Sequence, residues 1–286
     1  MYLDAFTFPD ADAEYAFFMR KHPNCYTSFY PFQTLCGRLS RLDFEPITVF
    51  SGSNGSGKST ALNVIAEKLR LKRHSAFNKT NFYMDYVDAC TDFRTGAISP
   101  QSCILTSDDV FDYMLDKRHT NDWIDTSREG VFEEYFRLRS SGEYTDFRFQ
   151  SMEDHDTLKR LNAARKKTVS KFVRDSLPDN VRTHSNGETA LRLFMETIKD
   201  GGLYLLDEPE NSLSPAKQCE LAAYIEESAR SFGCQFIVAT HSIFMLSMKR
   251  AKVYDFDEDP VDVKRWSELA VAQTYFDFFR EHEDEF

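Results

Sequence analysis

Ile47-Thr48-Val49-Phe50-Ser51-Gly52-Ser53-Asn54-Gly55-Ser56-Gly57-Lys58-Ser59-Thr60 decides the fold of this 286-residue chain. Positions 47–50 read as a buried strand, and the eight residues from Gly52 fill every fixed place of the pattern G-x-x-x-x-G-K-[ST]. Leu62, Ile65 and Leu69 then recur on one face of a helix. Glycines let such a loop curl until successive N–H groups converge on one anion. The helix that opens there adds the partial positive charge of its N-terminus. Lys58 is placed to hold the β- and γ-phosphates of a nucleotide as a point charge, and Ser59 to offer a hydroxyl to Mg2+. Gly52, Ser53, Asn54, Gly55, Ser56, Gly57, Lys58, Ser59 and Thr60 are therefore the expected nucleotide-binding set.

Working outward, Leu203-Tyr204-Leu205-Leu206-Asp207-Glu208 is an apolar run ending in two carboxylates. A buried strand that ends in Asp at the C-terminal edge of a parallel sheet delivers that carboxylate to the phosphate crevice. Asp207 is then the metal-side ligand. Glu208, pointing the other way as consecutive strand residues do, suits orienting or deprotonating a water.

Three further segments follow in order: His184-Ser185-Asn186-Gly187-Glu188, then Asn211-Ser212-Leu213-Ser214, then Ala239-Thr240-His241-Ser242. Ser185-x-x-Glu188 also reads as a capping box opening the helix that carries Leu191, Phe194 and Ile198. With the phosphate loop, this order resembles the ATP-binding cassette (ABC) ATPases, with Walker A, signature motif, Walker B with catalytic Glu, D-loop and switch His. The resemblance rests on residues 45–70 and 183–243. It implies a P-loop NTPase fold, Mg-ATP, catalytic roles for Glu208 and His241, and a head-to-tail homodimer with two sandwiched nucleotides. It further implies that Ser185 and Gly187 meet the nucleotide held by the other subunit. Glu188, where transporter cassettes usually carry Gln, is closer to the chromosome-maintenance and RecF-like branch. Gln101 and Asp108 remain alternatives for the glutamine loop, and Tyr26, Tyr30 and Phe32 for an adenine-stacking aromatic, with core packing as the other use of each.

Around these motifs the chain alternates apolar strands with helices, as a largely parallel sheet covered on both faces requires. Residues 1–50 read as strands: Leu3 to Phe8, Tyr26 to Tyr30 and Pro46 to Phe50. Cys103–Thr106 is another strand, with Ser107 as the cap of the next helix. Ser214-Pro215 opens a helix carrying Leu221, Ile225 and Phe232 inward. From about 108 to 180 the text is charged and helical. The predicted fold is α/β: a mostly parallel sheet flanked by helices, with an N-terminal antiparallel β portion. All of it lies in one domain, 1–286, with 108–180 as an inserted helical lobe.

With 35 basic against 46 acidic residues the chain is formally −11, which argues against a surface that is basic all over. A local stripe is still present: Lys159, Arg160, Arg165, Lys166, Lys167, Lys171 and Arg174. It reads either as a solvated helix face or as a nucleic-acid contact. The six cysteines form no C-x-x-C pair, which disfavours a zinc site or disulfide framework and suits buried thiols. No signal-like start and no long apolar run is present, so a cytoplasmic protein is expected. The C-terminal stretch, Tyr275 to Phe286, reads as a helix end with an acidic tip. The expected function is a soluble ATPase that drives or gates a partner, with DNA repair, recombination or phage defence as the settings that analogy offers. Two other readings stay open: the ATP-binding subunit beneath a membrane permease, and a non-enzymatic ATP-gated regulator.

Overall fold

A computed structural model describes residues 1–20, 26–140, 154–180 and 185–285. The described chain forms two compact units, Met1–Asp112 with Ser185–Phe286, and Tyr113–His184.

In the first unit the principal sheet has the order β5-β6-β7-β3-β8-β9. Its strands are β3 (Ile47–Ser51), β5 (Cys103–Thr106), β6 (Leu203–Asp207), β7 (Gln235–Ala239), β8 (Lys252–Asp255) and β9 (Asp262–Lys264). All neighbours run parallel except β9, which returns antiparallel to β8. Val49, Leu205 and Ile237 are fully buried, as strands covered on both faces must be. Each such side chain contributes about 1.5–3 kcal/mol by burial. A second, antiparallel sheet has the order β2-β1-β4, from β1 (Leu3–Thr7), β2 (Arg41–Asp43) and β4 (Thr91–Arg94). Gln235 ties the two sheets together. Its buried carboxamide accepts from the Tyr2 and Leu3 amides at 2.8 and 2.9 Å and donates to the Leu3 carbonyl at 2.7 Å.

The helices of this unit are α1 (Ala11–Arg20), α2 (Lys58–Lys68), α3 (Tyr83–Ala89) and the start of α4 (Ser107–Ser140). In the second unit α4 continues, followed by α5 (Asp154–Lys166) and α6 (Val169–Ser176). The first unit then resumes with α7 (Asn186–Thr197), α8 (Pro215–Ser231), α9 (Ile243–Leu246) and α10 (Ala270–Glu281). The second unit has its own small core of Tyr135, Leu138, Leu161, Ala164 and Phe172. No described helix is long and apolar enough to cross a membrane.

Three local expectations need correction. Tyr26–Tyr30 is loop and turn, not strand. Both edges of β1 are already taken by β2 and β4, and Phe29 instead packs on Phe18 and Phe82. Ser107 is the first residue of α4, and the cap is Thr106. The Thr106 amide donates to Asp109 Oδ2 at 2.7 Å, and the Asp109 amide reaches back to the Thr106 hydroxyl at 3.4 Å. Phe232 ends α8 and is 47% exposed, whereas Leu221 and Ile225 are buried as expected. Among the cysteines, Cys90, Cys103 and Cys234 are buried, but Cys219 is exposed and Cys36 intermediate; Cys25 lies outside the described residues.

Candidate active site

The phosphate loop joins β3 to α2 and can close so tightly because of its glycines. Gly55 and Gly57 have φ of +83° and +102°, a region costly to any residue with a Cβ. A Cβ on Gly57 would also stand 2.7 Å from Leu35 Cδ2. Lys58 is buried, and its ammonium donates to the loop's own carbonyls, Gly52 O at 2.7 Å and Ser53 O at 2.9 Å. Burial pushes the Lys58 pKa down, against the pull of Glu208, Asp207, Asp257 and Glu210. Thr60 closes the loop and accepts the Tyr30 hydroxyl at 3.2 Å.

Parallel register brings the ends of β6 and β7 beside this loop, with Asp207 level with Ala239 on one side and Thr106 on the other. The Ser59 hydroxyl donates to Asp207 Oδ1 at 2.9 Å. Burial pushes the Asp207 carboxyl up to about 6, the Ser59 bond and Lys58 opposing and Glu208 and Glu210 adding. Glu208 has φ +48°. Its backbone is held by its amide on Ala239 O at 2.9 Å, and its Oε2 accepts from Asn211 Nδ2 at 2.8 Å. Glu208 Oε1 lies 3.7 Å from His241 Nε2.

These residues suit Mg-ATP. A hydroxyl and a carboxylate make a hard oxygen pair of the kind Mg2+ takes when phosphates and waters complete its shell. Ser56 Oγ in the phosphate loop, and Glu210 Oε2 and His241 Nε2 beyond the ends of β6 and β7, are buried without a hydrogen-bond partner among the described residues, a capacity that a polar ligand would satisfy. Among the described residues there is no cluster of three or more His, Cys, Asp or Glu side chains that could hold a metal by themselves.

Ser185 is the N-cap of α7, with both halves of the capping box formed at 3.3 Å. Gly187, one residue into the helix, sits so near Ser212 that a Cβ would be 3.3 Å from its carbonyl oxygen. His184 lies outside the described residues. Of the two loop-glutamine candidates, Gln101 precedes β5 and donates to Asp200 O, at the opposite end of the sheet from Asp207. Asp108 is exposed in the first turn of α4, on the Asp207 side. Of the aromatic candidates, Tyr30 alone touches the loop. Phe32 is core, stacked on Phe17 at 4.2 Å, and Tyr26 packs edge-on to Phe82.

Several site residues escape a motif reading. Asp257 accepts the Ser53 amide at 2.8 Å and its hydroxyl at 2.6 Å. Arg38 spans the Ser56 and Phe256 carbonyls at 3.4 and 2.6 Å. Glu210 Oε1 accepts the amides of His241 at 2.6 Å and Ser242 at 3.2 Å. The one advance signal among these was a third carboxylate close behind Asp207-Glu208.

In the second unit, Lys159, Arg160, Arg165, Lys166, Lys171 and Arg174 are exposed and Lys167 is half-buried. Arg160 pairs with Glu134 at 2.8 Å and Lys167 with Asp175 at 2.6 Å.

No curated protein matches the chain. Similar solved structures include the Smc head domain with an extended coiled coil bound to the C-terminal domain of ScpA, from Pyrococcus furiosus. It is 14% identical, covers 98% of this chain and 99% of that one, and has a TM-score of 0.40. A second is the Smc head bound to the C-winged helix domain of ScpA, at 17% identity, 96% and 100% coverage and TM-score 0.45. A third is a dimeric ATP-binding cassette in a post-hydrolysis state bound to ADP and Pi, at 15%, 81% and 90%, and 0.36. One family model, described as AAA domain, putative AbiEii toxin, type IV TA system, matches residues 104–247, just over half of the chain. That stretch carries Asp207, Glu208 and His241 but not the phosphate loop, which the sequence supplies on its own. The chain therefore belongs to this AAA-domain family.

Proposed function

We propose that the chain binds Mg-ATP at the C-terminal edge of its parallel sheet, closes head to tail on a second copy, and hydrolyses the nucleotide to drive or gate a partner. The observation that carries this reading is the 2.9 Å contact of Ser59 with Asp207, which joins the phosphate loop to the strand whose next residue, Glu208, faces His241.

Amides from Gly52 to Thr60 hold the phosphates, and Lys58 turns from its own loop carbonyls to the β- and γ-phosphates. Ser59 and Asp207 would hold Mg2+, which when bound neutralises charge on the phosphate oxygens. Glu208, steadied by Asn211, orients the attacking water and takes its proton. His241 presents Nε2 to the γ-phosphate. Ser185 and Gly187 offer the N-terminus of α7 to the nucleotide of the second copy. Because the γ-phosphate makes the closed state favourable, its loss removes the differential affinity that keeps the dimer shut. Nucleic acid contacting the basic face of 159–174 is the partner surface to test.

The test is Glu208→Gln with ATP and Mg2+. It is expected to bind nucleotide, turn over about 100-fold more slowly or worse, and run as a dimer in light scattering. A monomer under those conditions would remove the sandwich, and wild-type turnover would remove Glu208 from the chemistry.

A further inference from the structure

We infer that Glu210 is a positioning residue that clamps the His241 segment to the end of β6, so that the imidazole is held at Glu208. This rests on the reading of Glu208 and His241 given above. Glu210 lies three residues past Asp207, and its carboxylate bonds go to the His241 segment and not to the phosphate loop. One of its carboxylate oxygens accepts two consecutive amides across the sheet edge, His241 N at 2.6 Å and Ser242 N at 3.2 Å. Charge-assisted bonds to backbone N–H groups are about twice as strong as neutral ones, and two adjacent amides fix both the place and the orientation of a segment.

The far side of the segment is pinned separately. The Ser242 hydroxyl donates to Gln218 Oε1 at 2.7 Å, and Gln218 Nε2 donates to Leu213 O at 2.9 Å. The Glu208 amide bonds the carbonyl of Ala239, only two residues before His241. With its backbone fixed from both sides, His241 carries its ring Nε2 buried, unbonded among the described residues and 3.7 Å from Glu208 Oε1. An unbonded buried imidazole nitrogen is unfavourable, so the segment would relax away from Glu208 if it were free. Glu210 opposes that relaxation. It spans the ends of the two strands that deliver Glu208 and His241, and so keeps their spacing independent of bound nucleotide.

The first measurement uses nucleotide-free protein and is independent of turnover: backbone amide exchange at His241 and Ser242. Glu210→Ala is expected to speed exchange at both by about tenfold or more, as local opening does. Glu210→Gln, which keeps an acceptor of the same shape, is expected to retain most of the protection. Because the Gln variant preserves volume, it also serves if the Ala variant fails to fold. The second measurement is turnover. Glu210→Ala is expected to lower kcat by roughly 10- to 100-fold through misplacement, with nucleotide affinity within about threefold. Glu210→Gln should restore most of that loss, and the Ala effect should vanish in a His241→Ala background. Unchanged exchange in Glu210→Ala overturns the clamp. So does a kcat loss that stays undiminished when His241 is already Ala. Loss of the roles of Glu208 and His241 appears differently, as wild-type turnover that neither Glu208→Gln nor His241→Ala lowers.

Discussion

Ser59 and Asp207 share a hydrogen bond of 2.9 Å although 148 positions separate them, and through it the first turn of α2 meets the last residue of β6. The bond lowers the Asp207 pKa only in part, since burial wins and raises the carboxyl to about 6 from an ordinary 3.8. Without metal, the charged form is therefore a burden on the folded state.

Asp207→Asn should accordingly raise the melting temperature of nucleotide-free, metal-free protein near neutral pH. The folded pKa lies above the unfolded one, so the penalty is absent below about pH 4, grows as pH rises towards about 6, and is complete above that. Melting curves of wild type and Asp207→Asn at pH 4.5 and 7.5 check this. The gap between them should be clearly wider at 7.5. A gap of equal size at both values would mean that Asp207 is not held protonated by burial.

Lys58→Ala removes the ammonium that now satisfies the Gly52 and Ser53 carbonyls. Charge-assisted bonds to phosphate are each worth about 1.5–3 kcal/mol, so losing two should weaken ATP at least about 100-fold. Titration calorimetry decides it. Affinity within a few-fold of wild type would mean that Lys58 does not hold the phosphates.

The parts legible in the sequence are those whose physics is local. Gly55, Gly57, Lys58 and Ser59 sit within one turn of one another, and the apolar runs of β6 and β7 need no partner to be recognised. Capping by Ser185 and Glu188 is local as well. What escaped is set by neighbours far along the chain. Glu210 meets His241 31 residues away, and Asp257 meets Ser53 204 residues away. Tyr26–Tyr30 has strand-like residues but pairs with no strand, its Phe29 packing on Phe18 and Phe82 instead, and α1 is short, with only Glu14 buried among its ten residues. Gln101 and Asp108 are told apart by the parallel pairing of β5 with β6, which puts Asp108 at the Asp207 end and Gln101 at the other.

Asn211→Ala tests how far Glu208 depends on support. Glu208 occupies a left-handed backbone conformation that costs about 1–2 kcal/mol, and the Asn211 carboxamide is the side chain that fixes its Oε2. Truncation should lower kcat roughly tenfold or more by letting the carboxylate wander, while nucleotide affinity stays within about threefold. Steady-state kinetics paired with calorimetry separates the two. An equal loss of affinity and turnover would mean that Asn211 supports the loop as a whole, not Glu208.

The basic face of α5 and α6 offers the last test. Lys166 and Lys171 are exposed, whereas Arg160 and Lys167 already hold carboxylates. Ion pairs of that kind on a surface contribute about 0–1 kcal/mol, so even the paired residues could exchange carboxylate for phosphate. If the face tracks a nucleic-acid backbone, duplex DNA should stimulate ATP turnover, and the effect should fade steeply between about 50 and 200 mM salt. The Lys166→Glu/Lys171→Glu double variant should lose the stimulation while keeping basal hydrolysis, because neither side chain belongs to the nucleotide site. ATPase assays with and without duplex, at both salt concentrations, make the comparison. Stimulation that survives the double variant would place the nucleic-acid contact elsewhere on the chain. Wild-type turnover indifferent to duplex would leave the stripe as a solvated helix face.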